Sequence, residues 1–254
     1  MVAKRRLSEP DVPSPLRRGI GVGGVAVPFA TSVRAQEDEH WREGPSGLPG
    51  GLVVKWAPAT FASIVVAAVA YTKPLLTKTP EMVVFGKRFK QPRNVGLFSN
   101  ENVVPYTHFG SCTHAAQPMN DELAKVLWAV NATVPGQDWN AILVNEYGPN
   151  GAIGFHSDDE AGLGLGGSTA TLSWGESRDM VLKERNMAGG VSTVPLHSGM
   201  LTVMPEGFHR RFLHGIPRRR THTTIDGNRT ANSSVMVSLT FRRHQLLPES
   251  PQTV

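Results

Sequence analysis

His156-Ser157-Asp158, followed 58 positions later (214 − 156) by His214 in the run Phe212-Leu213-His214-Gly215-Ile216-Pro217, is the combination in this chain best suited to metal chemistry. Two imidazoles and one carboxylate can cap one face of an octahedral ferrous ion, leaving the opposite face to a co-substrate and dioxygen. The pattern predicts an oxidising enzyme. In an extended segment, side chains two residues apart leave the same side of the backbone, so His156 and Asp158 can converge while Ser157 faces away. A third ligand in a perpendicular direction has to come from another strand, and His214 lies far enough along the chain to supply it. Taken alone the triplet is a weak signal, because nine histidines produce such a pair by chance and the simplest alternative is a surface or capping histidine.

The elements that must position these groups begin near Leu52. Residues 1–51 carry Pro10, Pro13, Pro15, Pro28, Pro45 and Pro49 among many glycines, without a sustained apolar period, and read as a disordered basic tail. Residues 52–247 read as one catalytic domain and 248–254 as a C-terminal tail. Leu52 to Trp56 predicts a strand, Pro58 opens a buried helix running to Tyr71, and Pro74 ends it. Leu123, Val126, Leu127 and Val130 recur at helical spacing and predict a second helix over 120–131. Short apolar or β-branched runs follow at 141–144, 169–174, 180–182, 200–204 and 234–241. Helices first and strands afterwards predict a mainly β (α+β) fold, a sandwich or jelly roll with the helices packed on one sheet.

A chain of 254 residues is long enough for a well-buried core. Its net charge of +5 favours polyanionic partners, and the clustering is more informative than the total. Lys87, Arg88, Lys90 and Arg93 form one basic group; Arg210, Arg211, Arg218, Arg219 and Arg220 flank His214 as another. Charge runs are ordinarily solvated faces, but two runs bracketing a metal triplet read as a phosphate track. The single cysteine, Cys112, excludes an internal disulfide and reads as a small packed side chain suited to a reducing compartment. The longest apolar run, 61–71, is far shorter than the roughly 20 residues needed to cross a bilayer. No membrane is expected, nor secretion; an intracellular place in nucleus or cytoplasm is, with organelle import left open.

Three segments carry a family resemblance: Asn145-Glu146-Tyr147-Gly148-Pro149-Asn150-Gly151-Ala152-Ile153-Gly154-Phe155-His156-Ser157-Asp158-Asp159-Glu160, then Ala170-Thr171-Leu172-Ser173-Trp174-Gly175, then Leu239-Thr240-Phe241-Arg242. In this order they resemble the AlkB family of iron(II)- and 2-oxoglutarate-dependent dioxygenases. Val83-Val84-Phe85-Gly86-Lys87 and Pro92-Arg93 resemble the nucleic-acid-facing segments of its eukaryotic DNA-repair branch. The resemblance covers residues 52 to 245 and implies a double-stranded β-helix with the metal between its sheets. It implies His156, Asp158 and His214 as ligands of Fe(II), with 2-oxoglutarate and O2 as co-substrates and ascorbate as a stimulant. Asn145, Tyr147, Thr240 and Arg242 would then hold the co-substrate.

The implied reaction couples decarboxylation of 2-oxoglutarate to succinate with hydroxylation of an N-methyl group, whose hemiaminal releases formaldehyde and the unmodified base. Such a methyl lies on a base edge hidden in a duplex, so the nucleotide must be flipped or already single-stranded. The resemblance places the base between His156 and an aromatic in Tyr106-Thr107-His108-Phe109, where His108 takes the family's aromatic position and Phe109 stands one residue on. It implies Asp159 and Glu160 at the base, Phe85 as a wedge in the duplex, and Lys87 and Arg93 at the nucleic acid. The partner is DNA or RNA carrying alkylated bases, and the protein a monomer.

One position departs from the family. An arginine six residues before Arg242 pairs with the distal carboxylate of the co-substrate, and here that residue is Met236. Methionine cannot form the ion pair, and the missing charge-assisted contact bears directly on catalysis. Arg229 and Arg243 are the candidates to fill the place. An inactive nucleic-acid-binding descendant, and an oxygenase of protein or small metabolites, are the competing readings.

Overall fold

The computed structural model describes residues 39–108, 112–160, 162–163, 167–186, 190–218 and 235–248. Its first elements are β1 (Arg42–Glu43), β2 (Val53–Trp56) and the helix α1 (Ala62–Thr72). Next come the hairpin of β3 (Glu81–Val84) and β4 (Lys87–Lys90), the strand β5 (Asn94–Phe98), and a second hairpin of β6 (Tyr106–His108) and β7 (Cys112–His114). The short β8 (Ala116–Gln117) leads to the helix α2 (Asp121–Thr133). Strands then dominate: β9 (Ala141–Tyr147), β10 (Ile153–His156), β11 (Thr169–Gly175), β12 (Arg178–Glu184), β13 (Ser192–Leu196) and β14 (Met200–Met204). A single helical turn, α3 (Phe208–Arg211), leads into β15 (Phe212–Ile216), and β16 (Met236–Arg242) completes the set.

Two sheets carry the architecture. The larger runs β1-β2-β14-β11-β16-β9-β5-β8 and the smaller β10-β15-β12-β13, facing one another as a double-stranded β-helix. Alternation along β9 shows how the large sheet is built. Ile142 and Val144 face outward onto the helices, beside Val65 and Ala68 of α1 and Leu123, Val126 and Val130 of α2. Ala141, Leu143, Asn145 and Tyr147 face inward, because side chains alternate across a strand. Between the sheets Met200, Met204 and Met236 of the large sheet meet Met180, Leu182 and Val194 of the small one. Toward one end of this layer the lining turns polar, and the site lies there.

The packing of both helices on one sheet agrees with the sequence pattern, but their order does not: β1 and β2 precede α1, and β3 to β8 lie between α1 and α2. α2 begins one residue later than the spacing predicts because Asn120 caps it, accepting from the Leu123 N–H at 3.0 Å. The helix after Pro58 was expected to be buried, yet Val66 of α1 is 53% exposed. It forms the outermost layer, so only the stripe through Val65, Ala68 and Thr72 is covered. The expected tail also ends sooner than 51. β1 pairs with β2, Arg42 opposite Trp56, and Leu48 is buried in the inter-sheet core. Low apolar content hid this edge strand because backbone pairing, not side-chain burial, holds it.

The strands β3 to β8 and β13 were not anticipated. β13 contains Pro195, and a proline is compatible with it because this strand lies at the edge of the small sheet. No helix among the described residues is long and apolar enough to cross a membrane. Residues 219–234, which include Arg219, Arg220 and Arg229, lie outside the described residues, as does Phe109; of His108 only the backbone in β6 is described.

Candidate metal centre and active site

His156 ends β10 and His214 sits in β15, and the two are cross-strand partners with ring centroids 4.2 Å apart. Asp158 follows just beyond the strand end, its Oδ1 3.7 Å from His156 Nε2 and its Oδ2 4.0 Å from His214 Nε2. One ligand atom from each residue lies within 4.8 Å of the others. Ser157 turns away as the extended spacing predicts, donating to Asp159 Oδ2 and accepting from Arg185.

Each donor is held in the state a cation requires. His156 Nδ1 lies 3.0 Å from the Gly154 carbonyl, which can only accept, so Nδ1 carries the proton and Nε2 keeps its lone pair. Burial holds the imidazoles of both His156 and His214 below their ordinary range, and each favours the neutral form. Burial alone pushes Asp158 up, but Arg242, His214, His209 and His156 overcome it and hold the carboxylate well below its usual range. Its backbone N–H donates to His209 Nδ1 at 3.3 Å, and His209 Nε2 in turn faces Thr169 Oγ1 at 3.1 Å. His209, which the sequence did not single out, thus fixes where Asp158 stands.

Arg242 is fully buried, and its Nη2 lies 2.9 Å from Asp158 Oδ1 and 2.8 Å from Glu160 Oε2. Its guanidinium carbon stands 5.2 Å from the centroid of the Tyr106 ring. Two carboxylates share one cation, so their protonation states separate. Asp158 stays ionised while burial raises Glu160 to about 7.

The inner face of the large sheet behind the metal ligands is unusually polar. Asn145, Ser238 and Ser173 lie in one cross-strand row, and Thr240, Thr171 and Thr202 in another. Hydroxyl pairs at 3.2 Å join Thr240 to Thr171 and to Ser238. Asn145 Oδ1, Ser173 Oγ and Thr202 Oγ1 are buried without a hydrogen-bond partner, as are Arg242 Nε and Nη1. Unsatisfied buried polar atoms are costly unless a ligand meets them.

In front of the ligands opens a cavity of about 620 Å³, lined among others by Tyr106, Thr107, His156, Asp159, Glu160 and Arg185. The structure therefore brings His156, Asp158, His214, Asn145, Tyr147, Thr240, Arg242, Tyr106, Asp159 and Glu160 into one region. Lys87 and Phe85 lie apart on the β3–β4 hairpin, where Phe85 is wholly exposed. Arg93 departs from the expected surface group: only 3% exposed, it stands in the bend before β5 and is separated from Lys87, Arg88 and Lys90 by the Pro92 break.

A family model described as the 2OG-Fe(II) oxygenase superfamily matches residues 62–242. The chain belongs to this superfamily. Within it the chain is AlkB-like. It is 30% identical over 178 residues to the DNA oxidative demethylase ALKBH2 of Bos taurus, covering 67% of this chain and 59% of that protein. With the DNA oxidative demethylase ALKBH2 of Homo sapiens it shares 31% over 146 residues, 54% of each chain. The chain thus spans little more than half the length of these curated relatives. A solved structure, that of OsALKBH1, aligns over 77% of this chain and 99% of its own at 20% identity, with a TM-score of 0.47.

The superfamily's iron(II) and 2-oxoglutarate fit the residues present. Two neutral imidazoles and one ionised carboxylate converge from one side, and the orphaned Asn145, Ser173 and Arg242 atoms supply a polar cradle behind them.

Proposed function

We propose that this protein is a 2-oxoglutarate-dependent dioxygenase that oxidatively dealkylates N-methylated bases in DNA or RNA, releasing succinate and formaldehyde. The observation that carries this reading is the His156-Asp158-His214 cluster, set between a polar inner cradle and a cavity wide enough for a base. When bound, iron with 2-oxoglutarate and dioxygen supplies the oxidising power for the N-methyl group. The chain's own residues arrange the rest. Gly154 keeps the His156 proton at Nδ1, Arg242 aims and ionises Asp158, and His209 fixes its backbone. Asn145 and Thr240, on the inner face, donate to the co-substrate. Tyr106, on the β6–β7 hairpin, and His156, on the small sheet, both line the cavity and form the walls between which a flipped base stacks. Burial raises Glu160 to about 7, so its carboxyl can present either a donor or an acceptor to the base edge, and Asp159 lines the same cavity.

The nucleic acid is recognised by charge and shape at the rim. Lys87, Arg88 and Lys90 present exposed cations on the β3–β4 hairpin, whose turn carries Phe85 into solvent; Arg210 and Arg218 are exposed near the ends of α3 and β15. The protein acts as a monomer in the nucleus or cytoplasm. Release of formaldehyde and succinate, measured with Fe(II), 2-oxoglutarate and a methylated oligonucleotide, tests the reading. Both products should appear in equal amounts and vanish in His156→Ala. Oligonucleotide binding without co-substrate consumption overturns it in favour of an inactive binding protein, and succinate release driven by a peptide or metabolite overturns it in favour of another substrate class.

A further inference from the structure

Resting on the 2-oxoglutarate reading above, we propose that Arg93, at the head of β5, supplies the cation for the distal carboxylate of the co-substrate in place of the side chain at 236. The sequence names two residues as substitutes, Arg243 and Arg229. Arg243 lies on the exterior, 44% exposed, paired with Asp138 and Glu101. Arg229 lies outside the described residues. Met236 itself is buried in the apolar layer between the sheets, so this position has turned from ionic to hydrophobic.

Register shows where a cation can replace it. Met236 is the cross-strand partner of Tyr147, and the pairing of β9 with β5 runs Asn145 with Val95 and Glu146 with Asn94. Arg93 stands in the bend directly before β5, and continuing the ladder by one step would bring it beside Tyr147, on the other side from Met236. The positive charge of Arg93 is felt at the hydroxyls of Tyr147 and Tyr106, and also at Cys112 and His114 of β7, so the guanidinium lies near the two tyrosines on the cavity side of the sheet.

This charge is uncompensated. Arg93 Nε and Nη2 are buried with no hydrogen-bond partner, and no carboxylate forms an ion pair with it among the described residues. Arg242 differs, because Asp158 and Glu160 already balance it. A guanidinium cannot shed its proton, so burial at 3% exposure without an anion is strongly unfavourable until one arrives. A dicarboxylate held at one end by the metal would leave its other carboxylate to be met by a buried cation, and the Arg93 fork could meet it in bidentate fashion.

Calorimetric binding to the Mn(II)-loaded protein under argon tests the assignment with two probes, 2-oxoglutarate and 2-oxopentanoate, which lacks the distal carboxylate. Wild type should prefer 2-oxoglutarate by about 100-fold, the worth of a buried charge-assisted pair. In Arg93→Gln the preference should fall to a few-fold, with Mn(II) and 2-oxopentanoate affinities unchanged, which reports an intact fold. Adding Met236→Arg to that variant should restore part of the preference. Should Arg93→Gln lose Mn(II) binding, the comparison moves to Arg93→Lys, where a weakened preference supports the assignment and an unchanged one overturns it. A preference retained in Arg93→Gln overturns it, and loss of oligonucleotide affinity alone reassigns the guanidinium to nucleic acid. Wild type that binds Mn(II) but neither oxo acid sinks the co-substrate reading itself, a result distinct from failure of Arg93.

Discussion

His156 stands opposite His214 because β10 carries one more residue than β15 between this pair and the pair Ile153 with Ile216. A regular ladder from Ile153 and Ile216 would set Phe155 opposite His214 and turn His156 to the other face. The bulge corrects the parity and brings both imidazoles to one side.

Gly215 makes that bulge possible. A Cβ built there would lie 2.9 Å from the Ile153 carbonyl oxygen and 3.0 Å from that of Gly154, both backbone atoms that can give way only if the strand itself moves. In Gly215→Ala the β10 backbone must shift, and the Gly154 carbonyl that orients His156 shifts with it. Mn(II) affinity followed by electron paramagnetic resonance should drop roughly 10- to 100-fold, as for loss of a ligand's orienting partner. Unchanged affinity would mean that the bulge does not set the ligand geometry.

Removing the shared cation leaves two carboxylates face to face. Arg242→Met should destabilise the metal-free protein by about 3–5 kcal/mol in urea unfolding, since an unbalanced buried charge remains on Asp158. Adding Asp158→Asn and Glu160→Gln should recover most of that loss. A single variant as stable as wild type would show that Arg242 does not hold the pair.

The His156, Asp158 and His214 cluster and several inner strands were legible in the sequence because their patterns are local. H-x-D spacing, the Leu-Thr-Phe-Arg run and the apolar run at 141–144 each declare themselves within a few residues. His209 was not legible: its role depends on α3 turning it back to the Asp158 N–H, 51 residues earlier in the chain. Arg93 was misplaced for a related reason. Among Lys87, Arg88 and Lys90 it reads as one more surface cation, and only its burial at 3% exposure in the folded chain sets it apart. Met236 lies in the apolar layer between the sheets, and the arginine we propose in its stead is two strands away, beyond the reach of any sequence window.

Glu160 gives the apo protein a pH dependence of defined sign. Its folded value of about 7 lies above the ordinary 4.5, raised first by burial and then, against the pull of Arg242, by Asp158. A group raised in the folded state contributes stability that is complete below 4.5 and is lost as pH rises through 7. Urea unfolding of wild type minus that of Glu160→Gln should therefore decline between pH 5 and pH 8, by on the order of 1–3 kcal/mol. The opposite slope would mean that Glu160 is ionised at its arginine throughout.

Phe85 is held in an unfavourable conformation with nothing covering it. At the tip of the β3–β4 hairpin its φ is 49°, in the left-handed region, followed by Gly86 at 75°, and the side chain is 100% exposed. A two-residue turn of this shape favours Asn-Gly, and a bulky residue there costs about 1 kcal/mol. Stability alone therefore disfavours phenylalanine, whereas insertion between base pairs requires a rigid apolar ring at such a tip. Phe85→Asn should raise the thermal midpoint by a few degrees while lowering demethylation of duplex substrate at least 10-fold, the scale of a lost intercalating contact. Activity on a single-stranded methylated oligonucleotide, which needs no wedge, should stay within about 2-fold of wild type. Equal losses on both substrates would place Phe85 in general nucleic-acid binding, and no loss on either would leave the exposed ring without a part in the reaction.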